Sequence, residues 1–426
     1  MDLHLKNAKF LLTEPDVAVA EGDIYICGDE IAAVGKAPEN FAAEKIINCA
    51  GKLVIPGLVN CHTHAAMSIM RNYADDLMFH EWLFGKIFPA EDKLEADDIY
   101  WATLLSCMEM IRSGTTCFMD MYYFLRQFSR AVDEAGMRVV VTRGLMGKKR
   151  GDSDVSSRLD EFFAEREAMK GNSRFSFRLA PHAVYTCGRD FLEYLADLAK
   201  KENLGINTHV AESKKEVDDC LKEHGKTPAQ YLAETGIFDV PATAAHCVFL
   251  TDGDIEIFRS KNVSVATNPV SNMKLGNGFS PVTKLLNAGV NVCAGTDGAA
   301  SNNRQNLFLE LAALSCIHKG VDRDAQSIPA SMALKIGTVN GAKALGLNIG
   351  SIAPGKKADL AILDLNHPHL QPENNLVSGL IYSANGSEVE TVIIDGAVVM
   401  ENREFKAIDE QRVYAEMRRI SKRILG

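Results

Sequence analysis

The strongest constraint on this chain is a rhythm. Between Pro56 and Leu347, short apolar, β-rich runs alternate eight times with amphipathic helical runs. The β-rich runs are GLVNCHTH, TTCFMDMY, MRVVVTRGL, FSFRLAPHA, GINTHVAE, ATAAHCVFL, VSVATNP and VNVCAGTDG. Each leads into a stretch with helical periodicity, such as DIYWATLLSCMEMIRSG after the first or RDFLEYLADLAKKE after the fourth. Strand-then-helix repetition implies parallel pairing, because each helix returns the chain across the sheet. Eight units over about 290 residues suit a sheet closed into a barrel. The expected fold is α/β, a distorted (β/α)8 TIM-like barrel over residues 57–349.

Both ends of the chain break the rhythm. LHLKNAKFLL, GDIYICGDEIAAVG and EKIINCAGKLVIP near the start, and ADLAILDL and EVETVIIDGAVVMENREF near the end, alternate apolar and polar residues. Gly28-Asp29 and Asp395-Gly396 are hairpin signals. Neither end is long enough for its own pair of sheets. The economical arrangement joins residues 1–56 and 350–426 into one small β-sandwich module, with a helix at the C-terminus.

Composition narrows the function. The net charge of −10 offers nothing to a polyanion, so nucleic acid is not an expected partner. Lys148-Lys149-Arg150 runs into Gly151-Asp152 and reads as a solvated loop. No run approaches the roughly 18 apolar residues of a membrane span, and MDLHLKNAKF does not read as a signal peptide. The ten cysteines form no C-x-x-C and lie in apolar segments. They read as buried, reduced thiols of a cytoplasmic protein.

The chemistry falls on the strand ends. His62 and His64 close the first run, His182 the fourth, His209 the fifth, His246 the sixth and Asp297 the eighth. A barrel gathers those ends on one face, where active sites are built. His62-x-His64 puts two imidazoles on one side of a strand. With His209 and Asp297 they offer three nitrogens and a carboxylate, with room left for water. That donor set suits one catalytic divalent metal per subunit: zinc, with Fe²⁺ or Mn²⁺ as alternatives.

Other residues are open when read alone. Glu91, beside Asp92 and Lys93, reads as a surface carboxylate. Arg143 is balanced between an ion pair and a ligand contact, and Arg158 at a helix start reads as surface. His182, after Pro181, fits either a structural or a functional histidine. Met67, Met70, Met108, Met110, Met119 and Met121 read as core.

VIPGLVNCHTHAAM, HVAE, AAHCV, NPVSNMKLGNG and GTDGAASNN resemble the amidohydrolase superfamily. Together with the EWLF and PAED segment they resemble its 5′-methylthioadenosine/S-adenosylhomocysteine deaminase branch, over essentially the whole chain. The resemblance implies His62, His64, His209 and Asp297 as metal ligands, Glu212 as proton shuttle and His246 as the residue orienting the water, with Asp297 also taking up its proton. It implies Glu91 for the ribose hydroxyls, Arg143 and Arg158 for the tail, and His182 for the purine. Trp82, in EWLF, is placed to wall the base pocket. The fourth run, FSFRLAPHAVY, lacks the lysine that bridges two metals in binuclear members, so one metal is expected.

The implied reaction is hydrolytic deamination of adenosine derivatives with release of ammonia. S-adenosylhomocysteine would give S-inosylhomocysteine, and 5′-methylthioadenosine would give 5′-methylthioinosine. 5′-deoxyadenosine and adenosine share the same adenine and ribose. The two arginines tilt the expectation towards S-adenosylhomocysteine. A homo-oligomer, dimer or tetramer, is implied by resemblance alone. One competing reading keeps fold and metal but acts on a guanine, pterin or triazine ring. Glu91, Arg143 and Arg158 speak against it, since a bare base has no ribose or carboxylate for them. A non-catalytic scaffold would not need four ligand positions and both proton-transfer residues. The cytidine-deaminase framework of H-x-E with P-C-x-x-C is absent.

Overall fold

The computed structural model describes residues 1–426. Leu3–Leu12 (β1) pairs antiparallel with Ala18–Cys27 (β2), which turns at Gly28-Asp29 into Glu30–Val34 (β3). Gly28 takes φ 59°, a left-handed value that glycine adopts without a Cβ penalty. Lys45–Asn48 (β4) and Lys52–Pro56 (β5) both add parallel to β1, one to each half. The chain then passes through Gly57 directly into the barrel. A Cβ on Gly57 would lie 2.0 Å from Thr116 Oγ1, so only glycine fits this crossing.

The barrel strands are β6 (Leu58–Thr63), β7 (Thr115–Tyr122), β8 (Arg138–Leu145), β9 (Phe175–Pro181), β10 (Gly205–Val210), β11 (Ala242–His246), β12 (Ser264–Thr267) and β13 (Val292–Ala294). They form one parallel eight-stranded sheet in sequential order. No ladder joins β13 to β6. The seam is bridged instead by the Asp297 N–H donating to His62 O at 2.9 Å. The Asn60 amide adds a reciprocal pair, donating to Thr296 Oγ1 at 2.8 Å and accepting from Thr296 N at 3.0 Å. The result is a nearly closed (β/α)8 barrel. Its inner cluster takes Val59, Cys61, Cys117, Met119, Val140, Ala266 and Cys293 from around the sheet, and Ala342 and Leu345 of the helix Val339–Leu345 join it.

The C-terminal strands β14 (Leu360–Asp364), β15 (Val389–Ile394), β16 (Ala397–Glu401) and β17 (Glu404–Phe405) return to the N-terminal sheet. β14 pairs antiparallel with β5, so the two chain ends share one nine-stranded sheet. Period-two alternation decides which core each residue enters. Leu53, Ile55, Ala361 and Leu363 pack in the large barrel cluster, whereas Val54, Leu360 and Ile362 pack in the module's own core. The final helix, Glu410–Leu425, lies against the barrel's first helix, Ala96–Arg112, through the pairs Arg112–Glu410 and Arg423–Asp98.

One segment interrupts the barrel rhythm. Between β6 and the helix Ala96–Arg112 come a 3-10 turn (Ala65–Met70), a π-helix (Glu81–Ile87) and a short helix (Phe88–Glu91). This insertion roofs the C-terminal mouth. Eight of the ten cysteines are buried; Cys27, at the end of β2, and Cys316, in the helix Leu307–Asp322, are exposed. No helix is long and apolar enough to cross a membrane.

Candidate active site

The strand ends bring the scattered histidines together. The His62 ring lies 4.9 Å from those of His64 and His209 and 5.3 Å from that of His246, centroid to centroid. Simple alternation does not account for this. Val59 and Cys61 face the barrel interior, and an unbroken strand would carry that face on to Thr63. A register shift between Asn60 and Thr63 re-aims the end of β6, so that His62 and His64 reach the mouth. Thr63 donates to Asp120 Oδ1 at 2.8 Å, and the same oxygen accepts the Ala65 N–H, which fixes the turn.

The tautomers follow from the partners. His64 Nδ1 lies 2.7 Å from Met121 O, and His209 Nδ1 lies 2.8 Å from His182 O. A carbonyl only accepts, so both Nδ1 atoms carry the proton and both Nε2 atoms present lone pairs. Those two Nε2 atoms face each other at 3.3 Å. His62 is fully buried, and neither of its ring nitrogens has a partner. Asp297 Oδ1 lies 3.3 Å from His64 Nε2 and 3.7 Å from His62 Nε2. Bare lone pairs and a carboxylate aimed at one point repel each other unless a cation lies between them. The residues therefore fit a divalent metal, with His64 and His209 as neutral imidazoles whose outer nitrogens are held by carbonyls. Burial and the neighbouring histidines push His62 and His209 well below the usual imidazole range, which keeps them in the ligating form.

Asp297 is prepared as an anion. Burial alone would raise its carboxyl, but positive charge at the imidazole cluster of His246, His64 and His62, which a bound cation would supply when the rings are neutral, and the Ser271 hydrogen bond outweigh that and hold it well below the usual range. Ser271 and Ser301 donate to Oδ2 at 2.5 and 2.8 Å, leaving Oδ1 turned towards the histidines. Glu212 is the opposite case. Burial, reinforced by Asp297, pushes its carboxyl well above the usual range. Within one cavity, one buried acid is thus shifted down and the other up. His246 Nδ1 lies 2.8 Å from Asn272 Oδ1, which leaves its Nε2 bare, 3.8 Å from Glu212 Oε2.

The backbone is strained where these groups sit. His246 has φ 68°, Asp297 62° and Ala211, just before Glu212, 50°. Left-handed non-glycine residues cost on the order of 1–3 kcal/mol each and cluster at functional sites. Glu216 accounts for the last of them, since its carboxylate accepts the N–H groups of Ala211 (3.0 Å) and Glu212 (2.8 Å).

The same cavity is walled by Glu91, His182, Trp82, Phe79, Phe88, Tyr122, Tyr123 and Tyr185, and by Met67 and Met121, which the sequence had assigned to core. Glu91 accepts from Tyr122 at 2.7 Å and from Tyr123 at 3.5 Å. Burial pushes its carboxyl up to about 7 despite those bonds. His182 is pushed down to about 3 by burial and by His64 and His246, so it is neutral. The Trp82 Nε1–H is buried and unpartnered. Arg143 and Arg158 do not line the cavity. Arg143 pairs with Glu161 at 2.6 Å, and Arg158 donates to Met146 O at 3.0 Å.

Sequence reasoning missed Ser271, Ser301, Asn272 and Glu216, and the tyrosines around Glu91. The first three lie inside NPVSNMKLGNG and GTDGAASNN, whose polar residues were a usable signal. Glu216 and the tyrosines carried none.

Comparison with known proteins agrees with this geometry. The amidohydrolase family profile matches residues 53–399. The chain is 44% identical to the 5-methylthioadenosine/S-adenosylhomocysteine deaminase of Caldanaerobacter subterraneus subsp. tengcongensis, covering 100% of this chain and 99% of that one. It is 41% identical to the 5′-deoxyadenosine deaminase of Methanosarcina mazei, covering 100% and 99%. It superposes on the crystal structure of an adenosine deaminase from Xanthomonas campestris with bound zinc at TM-score 0.95 and 31% identity, covering 99% and 98%.

Proposed function

The chain belongs to the amidohydrolase family, and from that premise we propose that it is a metal-dependent adenosine-derivative deaminase. It is a hydrolase that converts 6-amino purine nucleosides such as 5′-methylthioadenosine and S-adenosylhomocysteine to their inosine analogues, releasing ammonia. The observation that carries this reading is the cluster of His62, His64, His209, His246 and Asp297 at one strand-end mouth, with Glu212 lining the same cavity. His62, His64, His209 and Asp297 hold one divalent ion, which we take to be zinc. When bound, such an ion lowers the pKa of a coordinated water from 15.7 to roughly 7 and so supplies a nucleophile at neutral pH.

The remaining steps belong to the chain's own residues. Glu212, protonated, donates to N1 of the adenine ring and makes C6 electrophilic. The bare Nε2 of His246 and the carboxylate of Asp297 accept the proton of the attacking water. As the C6–N bond breaks, the proton taken from the water passes to the amine and ammonia leaves, while the proton of the hydroxyl on C6 returns to Glu212 as the carbonyl forms. His182 sits at the purine, with Trp82 offering a ring face and an N–H. Glu91 takes the ribose hydroxyls, and the roof excludes water. A cytoplasmic location and a homo-oligomeric state, dimer or tetramer, complete the reading.

The test is a panel of 5′-substituted adenosines beside guanine and a triazine, with metal content measured alongside. The ultraviolet change of adenine becoming hypoxanthine should appear for the nucleosides alone. Turnover of the bare bases in preference to them would refute the reading.

Glu91 makes a separate prediction. Both oxygens accept from the two ribose hydroxyls only in the ionised form, and burial pushes the carboxyl up to about 7. Affinity for 5′-methylthioinosine should therefore tighten up to ~10-fold as pH rises from about 6 to 8. It should weaken again as pH falls through 7. In Glu91→Gln, calorimetry should show weaker and pH-flat binding. A slope that survives in that variant would assign the titration elsewhere.

A further inference from the structure

We infer that Glu310 is a positioning residue for the deamination: from behind the imidazole cluster it clamps together the two segments that aim Asp297 and His246. The inference rests on the deaminase reading and deepens it. It names a buried carboxylate outside the cavity that sets the direction of both proton-accepting groups.

Glu310 sits in the first turn of the helix Leu307–Asp322, is buried, and does not wall the active-site cavity. Its Oε2 accepts the Val270 N–H at 3.1 Å, and its Oε1 accepts from the Asn302 amide at 2.6 Å. Val270 belongs to the short helix Pro269–Lys274, whose next two residues reach the site. Ser271 donates to Asp297 Oδ2 at 2.5 Å, and Asn272 Oδ1 lies 2.8 Å from His246 Nδ1. Asn302 belongs to the segment that follows Asp297. Its amide nitrogen also donates to Thr296 O at 2.7 Å, which holds the peptide leading into Asp297. Asp297 has φ 62°, a value that a non-glycine residue keeps only where its surroundings over-determine it. Ser301, next to Asn302, donates to the same Oδ2 at 2.8 Å and meets Ser271 Oγ at 3.0 Å. The two segments are therefore tied at Asp297 by the serines and again behind it by Glu310. The Asn302 amide has one orientation open to it, because two acceptors face its nitrogen. Its Oδ1 is buried without a partner, so its place depends on those two bonds.

Glu310→Gln tests this directly. The amide keeps one acceptor and turns a donor towards the other N–H, so one of the two ties is lost. Zinc affinity by chelator competition, kcat at full zinc occupancy and KM for 5′-methylthioadenosine are read together. The stoichiometry of 5′-methylthioinosine binding counts the folded sites. Per site, kcat should fall ~10-fold and zinc should bind ~10-fold more weakly, while KM stays within about 2-fold, the scale expected of a group acting behind a metal's ligands. Ser271→Ala lies on the same path, so the double variant should lose little beyond the larger single loss. Losses that multiply would mean that Glu310 acts independently of Ser271, and would overturn the inference. Glu165→Gln removes another buried carboxylate, on the helix Ser153–Ala168, and should move none of the readouts; an equal loss there would make the effect generic and overturn it too. Unchanged kcat and zinc affinity in Glu310→Gln, or a rise in KM alone, does the same while leaving the deaminase reading standing. Should Glu310→Gln fail to fold, Asn302→Ala breaks the tie to Thr296 O and carries the test, with the same losses expected and unchanged values overturning the inference. A wild type inert on every adenosine derivative fails the deaminase reading, and zinc affinity then still decides the place of Glu310.

Discussion

Glu212→Gln is expected to keep its metal and to slow deamination by about 10³-fold, within the range that a positioned acid–base group contributes. The substitution is nearly isosteric, and the backbone N–H of residue 212 would still be held by Glu216. An amide can donate a hydrogen bond to N1 but cannot give up the proton. Substrate should therefore bind almost as before while kcat collapses. Burial and Asp297 push its carboxyl well above the usual range, the direction that a group delivering a proton to N1 requires. Steady-state kinetics with metal analysis separates the outcomes. A variant with intact metal and near-normal kcat would mean that the proton reaches N1 by another route, with His246 the nearest alternative.

The eight strand ends were legible because strand–helix alternation is a strong signal and a barrel admits one arrangement of it. His62, His64, His209, His246 and Asp297 needed no contact information to be gathered; topology alone placed them at one mouth. Local departures from regularity were not legible. The bulge in β6 leaves no mark in GLVNCHTH, yet it sets where the two histidines point. The roof was hidden for a similar reason. EWLFGKI has helical periodicity of no fixed kind, and only packing over the mouth makes it a π-helix that turns Trp82 and Leu83 inwards.

Charged side chains were the least legible of all. Arg143 and Glu161 are 18 residues apart, on a strand and on the helix that follows it, and nothing in the spacing marks them as partners. A guanidinium reads the same in sequence whether it is free or paired. Glu91 illustrates the converse. Its neighbours Asp92 and Lys93 suggest solvent, but Tyr122 and Tyr123 reach it from the end of β7, across a gap in sequence that only the folded barrel closes.

Removing the metal should abolish turnover, a loss of at least ~10³-fold, since Lewis-acid activation of water contributes several kcal/mol that no side chain here replaces. It should also lower the melting temperature, and the structure gives the reason. His62 is buried with both ring nitrogens unpartnered. The lone pairs of His64 and His209 face each other at 3.3 Å, beside an anionic Asp297. Without a cation that arrangement is repulsive, so the fold itself resists the geometry that catalysis needs. A ligand present at about 1,000 times its Kd stabilises the folded state by ~4 kcal/mol, which sets the scale of the expected shift. Chelation followed by calorimetry should show the melting temperature fall, and added zinc should restore stability and turnover together. His209→Ala should lack turnover and fail to recover it with zinc, because one of the three imidazole donors is gone. Full activity in protein shown to hold less than a stoichiometric trace of any divalent ion would break the link between the imidazole cluster and the chemistry.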